Sequence, residues 1–160
     1  MKARLEAQKV SPAAYQAMLG LEIFVRKQSK LESALIELVK MRASQINGCA
    51  YCIDMHSKDA RAEGETEQRL YALSAWEETP FFTDRERAAL ALTEAITLVS
   101  EGHVPDAVYE EAKKSFSAEE LVNLTLAIIT VNGWNRLAIT FRSVPGEYQP
   151  GMYKTEGVKA

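Results

Sequence analysis

Ser117-Ala118-Glu119-Glu120 has the spacing of a helix-capping box, and the residues after it are apolar on nearly every side until about Phe141. A helix apolar all round has to be covered, either centrally within a domain or between subunits. Elsewhere apolar residues recur at three and four positions rather than alternating. Only 8 glycines and 5 prolines interrupt them, so the expected fold is all-α. The 160 residues suit one domain, 1–160, with a single compact core.

Seven helical segments can be placed. The first starts at Ser11-Pro12 and carries Tyr15, Leu19, Ile23 and Arg26 along one stripe. A second runs from near Leu31 to Ile46 and stops at Asn47-Gly48, residue types that accept left-handed dihedrals. The third opens at or just before Cys49 and ends near Glu63-Gly64, and a short fourth covers Glu67 to Leu73. Thr83-Asp84-Arg85-Glu86 is a second capping box, leading a helix to Val99, with a break at Gly102. Pro105-Asp106 opens the sixth, which ends near Phe116, and Ser117 opens the seventh. Ser143 to Ala160, with Pro145, Gly146, Pro150 and Gly151, has no periodicity and reads as a tail or an arm over a neighbour.

Charge narrows the function classes. Acidic residues number 22 against 19 basic ones, a net charge of −3 with no basic block, which argues against nucleic-acid partners. The longest uncharged stretch, Leu121 to Asn135, is too short to cross a bilayer as a helix, so no membrane partner is expected. Charges at Lys2, Arg4 and Glu6 stand where a secretory signal would need apolar residues, so the expected location is cytoplasmic. In a reducing compartment two cysteines are a poor structural staple, and these two are spaced Cys-x-x-Cys.

On a helix Cys49, Cys52 and His56 fall within about 60° of one another, so both thiols and the imidazole share a face. Ile53 and Ala60 continue it, while Asp54, Lys58, Asp59 and Arg61 are expected mostly elsewhere. Cα atoms at i and i+3 are roughly 5 Å apart, within disulfide range. Cys49 would feel the helix N-terminus, and Cys52 has His56 one turn away. Lowering a thiol pKa by two units from about 8.5 raises its thiolate fraction about 25-fold at pH 7. Lost nucleophilicity takes back roughly 6–10-fold of that, so an oriented acid for the leaving group matters more. His56 is the candidate. A zinc site built from Cys49, Cys52 and His56, with Glu37 or His103 as fourth ligand, is the competing reading, although structural zinc sites usually draw ligands from two segments. Glu37 itself lies on a stripe with Ser33, Lys40 and Ser44 that, from the residues alone, reads as a solvent face with Glu37 and Lys40 as an exposed pair.

Glutamate, eleven residues, then Cys-x-x-Cys-x-x-x-His, here Glu37, Cys49, Cys52 and His56, resembles the AhpD-like alkylhydroperoxidases of the carboxymuconolactone decarboxylase superfamily. Gly102 to Asp106, Phe116 to Leu121 and Asn132 to Leu137 add to the likeness, which spans about 21–148 and leaves 149–160 as tail or interface arm. The resemblance implies an AhpD-like helical fold of about six to seven helices, assembled as a homo-trimer or homo-hexamer, and a peroxidase acting on organic hydroperoxides or hydrogen peroxide. It implies Cys52 as the attacking thiol, Cys49 as the resolving thiol, and a proton relay through His56 and Glu37. Re-reduction would come from a dithiol, dihydrolipoyl or thioredoxin-like, and no cofactor is implied. One departure is Tyr51, where the best-characterised branch has a histidine; a phenol is not a base near neutral pH. A second enzyme class within the superfamily, lactone decarboxylation or isomerisation, belongs to a branch usually without the cysteine pair.

Smaller expectations concern single residues. His103 reads as a surface or cap histidine, and Asn132, Asn135 and Arg136 as polar groups that hydrogen-bond within a core or interface. Phe81-Phe82 would line a substrate entrance, a subunit contact or the core.

Overall fold

The computed structural model describes residues 1–152. Its elements are α1 (Ala7–Val10), α2 (Pro12–Lys27), α3 (Ser33–Asn47), α4 (Ala50–Ala62), α5 (Glu67–Ala72), a 3-10 helix over Leu73–Glu78, α6 (Asp84–Thr97), α7 (Val99–Gly102), α8 (Asp106–Ser115) and α9 (Ala118–Phe141). The fold is all-α, and the seven expected segments correspond to α2–α6, α8 and α9. The additional pieces are short. α1 and α7 have 4 residues each, too few to show a period, and the 3-10 turn is broken at Ala75 (φ −125°, ψ 34°). Both capping boxes form: Thr83 and Ser117 each accept from the third backbone N–H of their helix while Glu86 and Glu120 reach back.

α3 lies at the centre and packs on α4, α6 and α9. Its Leu35 and Val39 join Val25, Leu92, Leu124 and Ile128 in one apolar cluster, while its Leu38 and Met41 join Leu73, Trp76, Phe82 and Leu90 in a second. A helix between two clusters is covered beyond its first turn. The stripe expected to be open is therefore closed: Glu37, Lys40 and Ser44 are buried, and only Ser33 is exposed. α9, by contrast, is not covered all round within the single chain, where Val122 and Ile129 are 69% and 51% exposed. Phe82 packs in the core with the Arg69 guanidinium 4.8 Å from its ring centre.

Polar groups lock the end of α3 to α9. Asn47 Nδ2 donates to Asn132 Oδ1 at 2.9 Å and to Asn135 Oδ1 at 2.8 Å, and Asn135 Nδ2 donates to Ser44 Oγ at 3.0 Å. Gly48 then turns the chain at φ 66°, a left-handed conformation that costs glycine little, and delivers Cys49 to the start of α4. Asn135→Leu removes a fully buried donor and acceptor from this clamp. It should cost about 2 kcal/mol, read as a Tm roughly 4–8 °C lower in a thermal melt.

After α9 the chain turns at Arg142 and folds back over α4. Lys58 Nζ donates to the carbonyls of Gly146 and Tyr148, and Asp54 accepts from the Gly146 N–H. Of the expected tail, residues 153–160 lie outside the described residues. No helix among the described residues is long and apolar enough to cross a membrane.

Candidate active site

α3 and α4 run side by side, so Glu37 faces the His56 side of α4. Cys49 caps α4, its Sγ accepting from the Cys52 N–H at 3.4 Å. The two cysteines are joined as a disulfide with Cα atoms 5.3 Å apart, and each is 1% exposed. His56, one turn after Cys52 and also buried, has Nδ1 at 2.9 Å from Glu37 Oε2. The structure thus brings Glu37, Cys49, Cys52 and His56 together. His103 stands apart at an exposed turn after α7 with φ 56°.

Three helices supply charges around Glu37. Its Oε1 lies 3.3 Å from Arg26 Nη2 and 3.9 Å from Lys40 Nζ. Arg26 Nε donates to Glu22 Oε1 at 2.6 Å, and buried Lys40 also pairs with that oxygen. Burial alone would raise the Glu37 carboxyl, but His56, Lys40 and Arg26 outweigh it and hold its pKa at about 2. An ionised carboxylate only accepts, so His56 carries its proton on Nδ1 in this bond. Nε2 is left to take or give a proton.

Asp59 is a correction to the sequence reading. It is buried, one turn beyond His56 on the same face, and Tyr148 donates to its Oδ1 at 2.7 Å. Burial, foremost, raises the Asp59 carboxyl, and burial followed by the bond to Asp59 raises the Tyr148 phenol. Arg26 Nη2 is 3.8 Å from Asp59 Oδ2. Glu22, Lys40, Asp59 and Tyr148 were not among the expected site residues. The spacing Cys52, His56, Asp59 was the available signal for one of them, since i, i+4 and i+7 share a helical face.

The site opens into a cavity of about 880 Å³. Cys52 and His56 reach its lining and Cys49 is not among the lining residues. Arg26, Glu22 and Asp59 are among its polar lining residues, and its apolar lining includes Tyr15 and Leu19 from α2 and Trp134 and Leu137 from α9. Ala3, Leu5 to Gln8 and Tyr148 also line it. Neither Phe81 nor Phe82 lines it.

Glu37, His56 and Asp59 place one potential ligand atom each within 4.8 Å of the others. That grouping suits a metal poorly, because Arg26 and Lys40 already stand against its carboxylates and Nδ1 of His56 is engaged by Glu37. The cysteines, bonded to each other, are not offered as thiolates.

Residues 12–95 match the carboxymuconolactone decarboxylase family. The uncharacterized protein YdfG of Bacillus subtilis is 44% identical over 139 residues, 87% of this chain and 94% of its own length. A crystal structure from Agrobacterium tumefaciens, of a protein of unknown function proposed as the antioxidant defence protein AhpD, is 44% identical with a TM-score of 0.88. It spans 92% of this chain and all of that one. An uncharacterized peroxidase-related protein from Ralstonia eutropha, with an alkylhydroperoxidase AhpD core, shares the fold at a TM-score of 0.77 and 19% identity, over 88% of this chain and 75% of that one.

Proposed function

The chain belongs to the carboxymuconolactone decarboxylase family, among its AhpD-like members, and from that premise we propose that it is a thiol-dependent alkylhydroperoxidase. The observation that carries this reading is the placement of Cys52: it borders the cavity beside His56 and is bonded to Cys49 behind it. A hydroperoxide entering the cavity therefore meets the Cys52 sulfur.

In the reduced protein the Cys52 thiolate attacks the outer oxygen of the hydroperoxide. The O–O bond breaks, sulfur is oxidised to sulfenic acid, and the departing alkoxide takes the proton from His56 to leave as an alcohol. Ionised Glu37 holds the imidazole by Nδ1, which directs Nε2 to this exchange. The Cys49 sulfur then attacks that of Cys52, the S–O bond breaks, and hydroxide leaves with the Cys49 proton as water. This gives the disulfide present in the structure. A dihydrolipoyl or thioredoxin-like dithiol returns two electrons and two protons. We place the protein in the cytoplasm as a homo-trimer or homo-hexamer, for which exposed Val122 and Ile129 of α9 offer an apolar face.

Thiol counting tests the reading. Reduced protein should show two titratable thiols, and one equivalent of cumene hydroperoxide should remove both while one equivalent of alcohol appears. Unchanged thiols after peroxide would reject it.

A further inference from the structure

The peroxidase reading leaves open which hydroperoxides the site admits, and the cavity is far larger than the smallest of them. A water molecule takes up about 30 Å³, and hydrogen peroxide is little bigger. The cavity of about 880 Å³ is instead of the size that encloses a compound with a substantial organic body.

Its wall is suited to a flat apolar body. The Tyr15 ring meets Trp134 edge to face, with centroids 5.1 Å apart and planes at 62°. Aromatic rings add to such a pair by stacking or edge contact. Leu19, Val131 and Leu137 extend the wall, and Met55 brings a thioether to the same space.

The charged groups that line and back the cavity are paired with one another, which disfavours an anion. Glu22, Glu37 and Asp59 stand around Arg26, Lys40 and His56, and each of these three already faces a carboxylate within 4 Å. An anionic body would have to displace one of these pairs or add its charge to the carboxylates. At the rim Lys27 is offset by exposed Glu6 and Glu63.

We infer that the cavity selects uncharged ligands with a bulky aromatic body, hydroperoxides on the peroxidase reading above, and that Tyr15 and Trp134 are the residues that set this selectivity.

The test compares kcat/KM for cumene hydroperoxide, hydrogen peroxide and the anionic linoleic acid hydroperoxide. Reduced wild-type protein should favour cumene hydroperoxide by about tenfold or more over each of the others, and Trp134→Ala should lower its preference over hydrogen peroxide about tenfold. Tyr15→Ala should lower the same ratio, which keeps the test alive if the tryptophan variant fails to fold. Trp134→Phe should retain most of the preference. A second measurement needs no turnover: Cys52→Ser protein is titrated with 2-phenyl-2-propanol, the alcohol that cumene hydroperoxide would yield. The alcohol should bind, and Trp134→Ala in that background should weaken it about tenfold. A preference for linoleic acid hydroperoxide or hydrogen peroxide, or a ratio that neither variant moves, overturns the inference. Binding of the alcohol by a protein that consumes no hydroperoxide would uphold the cavity's selectivity while removing the peroxidase reading.

Discussion

Replacing Cys52 by serine should lower hydroperoxide consumption by the reduced protein by roughly a thousandfold or more, to the background rate of the peroxide with its reductant. Serine is nearly isosteric and keeps the backbone N–H that Cys49 accepts, so the fold should persist. What is lost is the only sulfur of the pair whose residue borders the cavity. A hydroxyl offers no comparable nucleophile near neutral pH and no sulfenic acid to resolve. Cys49→Ser should behave differently, consuming one equivalent of peroxide and then stopping with a sulfenic acid on Cys52, trapped by dimedone and located by mass spectrometry. Turnover by the Cys52 variant at near wild-type rate would move the attack elsewhere and sink the assignment.

Glu37→Gln should damage stability and activity together, and the stability effect should depend on pH. The glutamate is buried between His56, Arg26 and Lys40, and neutralising it leaves those groups without their shared carboxylate. Breaking a buried ion pair from one side costs about 3–5 kcal/mol. The sign with pH follows from the depressed pKa. The folded-state carboxyl titrates near 2 against an ordinary 4.5, so its contribution is complete above pH 4.5 and disappears as pH falls toward 2. That difference corresponds to an order of 3 kcal/mol. Urea unfolding from neutral pH downward should show the wild type converging on the variant below pH 4.5. A stability gap that stays constant down to pH 2 would show that the carboxylate charge is not what stabilises this centre. In activity, an amide can still accept from Nδ1 but without charge, and a loss of roughly ten- to a hundredfold in kcat is expected.

The parts of this architecture that are local could be read from the chain. Thr83 and Ser117 announce their helices with side chains three residues apart, and Gly48 supplies the left-handed stop before Cys49. The common face of Cys49, Cys52 and His56 follows from helical geometry alone. Glu37 shows where such reasoning ends. A helical wheel assigns it to a stripe with Lys40 and Ser44 but cannot say whether that stripe meets water, and family likeness was needed to set it beside His56. Burial of Lys40 depends on Glu22 of another helix, so no pattern within α3 reveals it. Asp59 lies inside although its charge suggests solvent. Its partners Tyr148 and Arg26, 89 and 33 positions away in the chain, make an interior position tolerable. The single-turn helices α1 and α7 are set by tertiary context rather than by a periodic signal.

The orientation of the disulfide also dictates how it can be opened. On the proposed peroxidase reading, a reducing thiolate arriving through the cavity would meet Cys52 before Cys49, so the mixed disulfide would form there with Cys49 as the leaving group. Cys49 departs at the cap of α4, where the helix dipole and unsatisfied backbone N–H groups favour a negative charge. The side chain that starts α4 would thus release its own bond most readily when electrons are delivered from the cavity side.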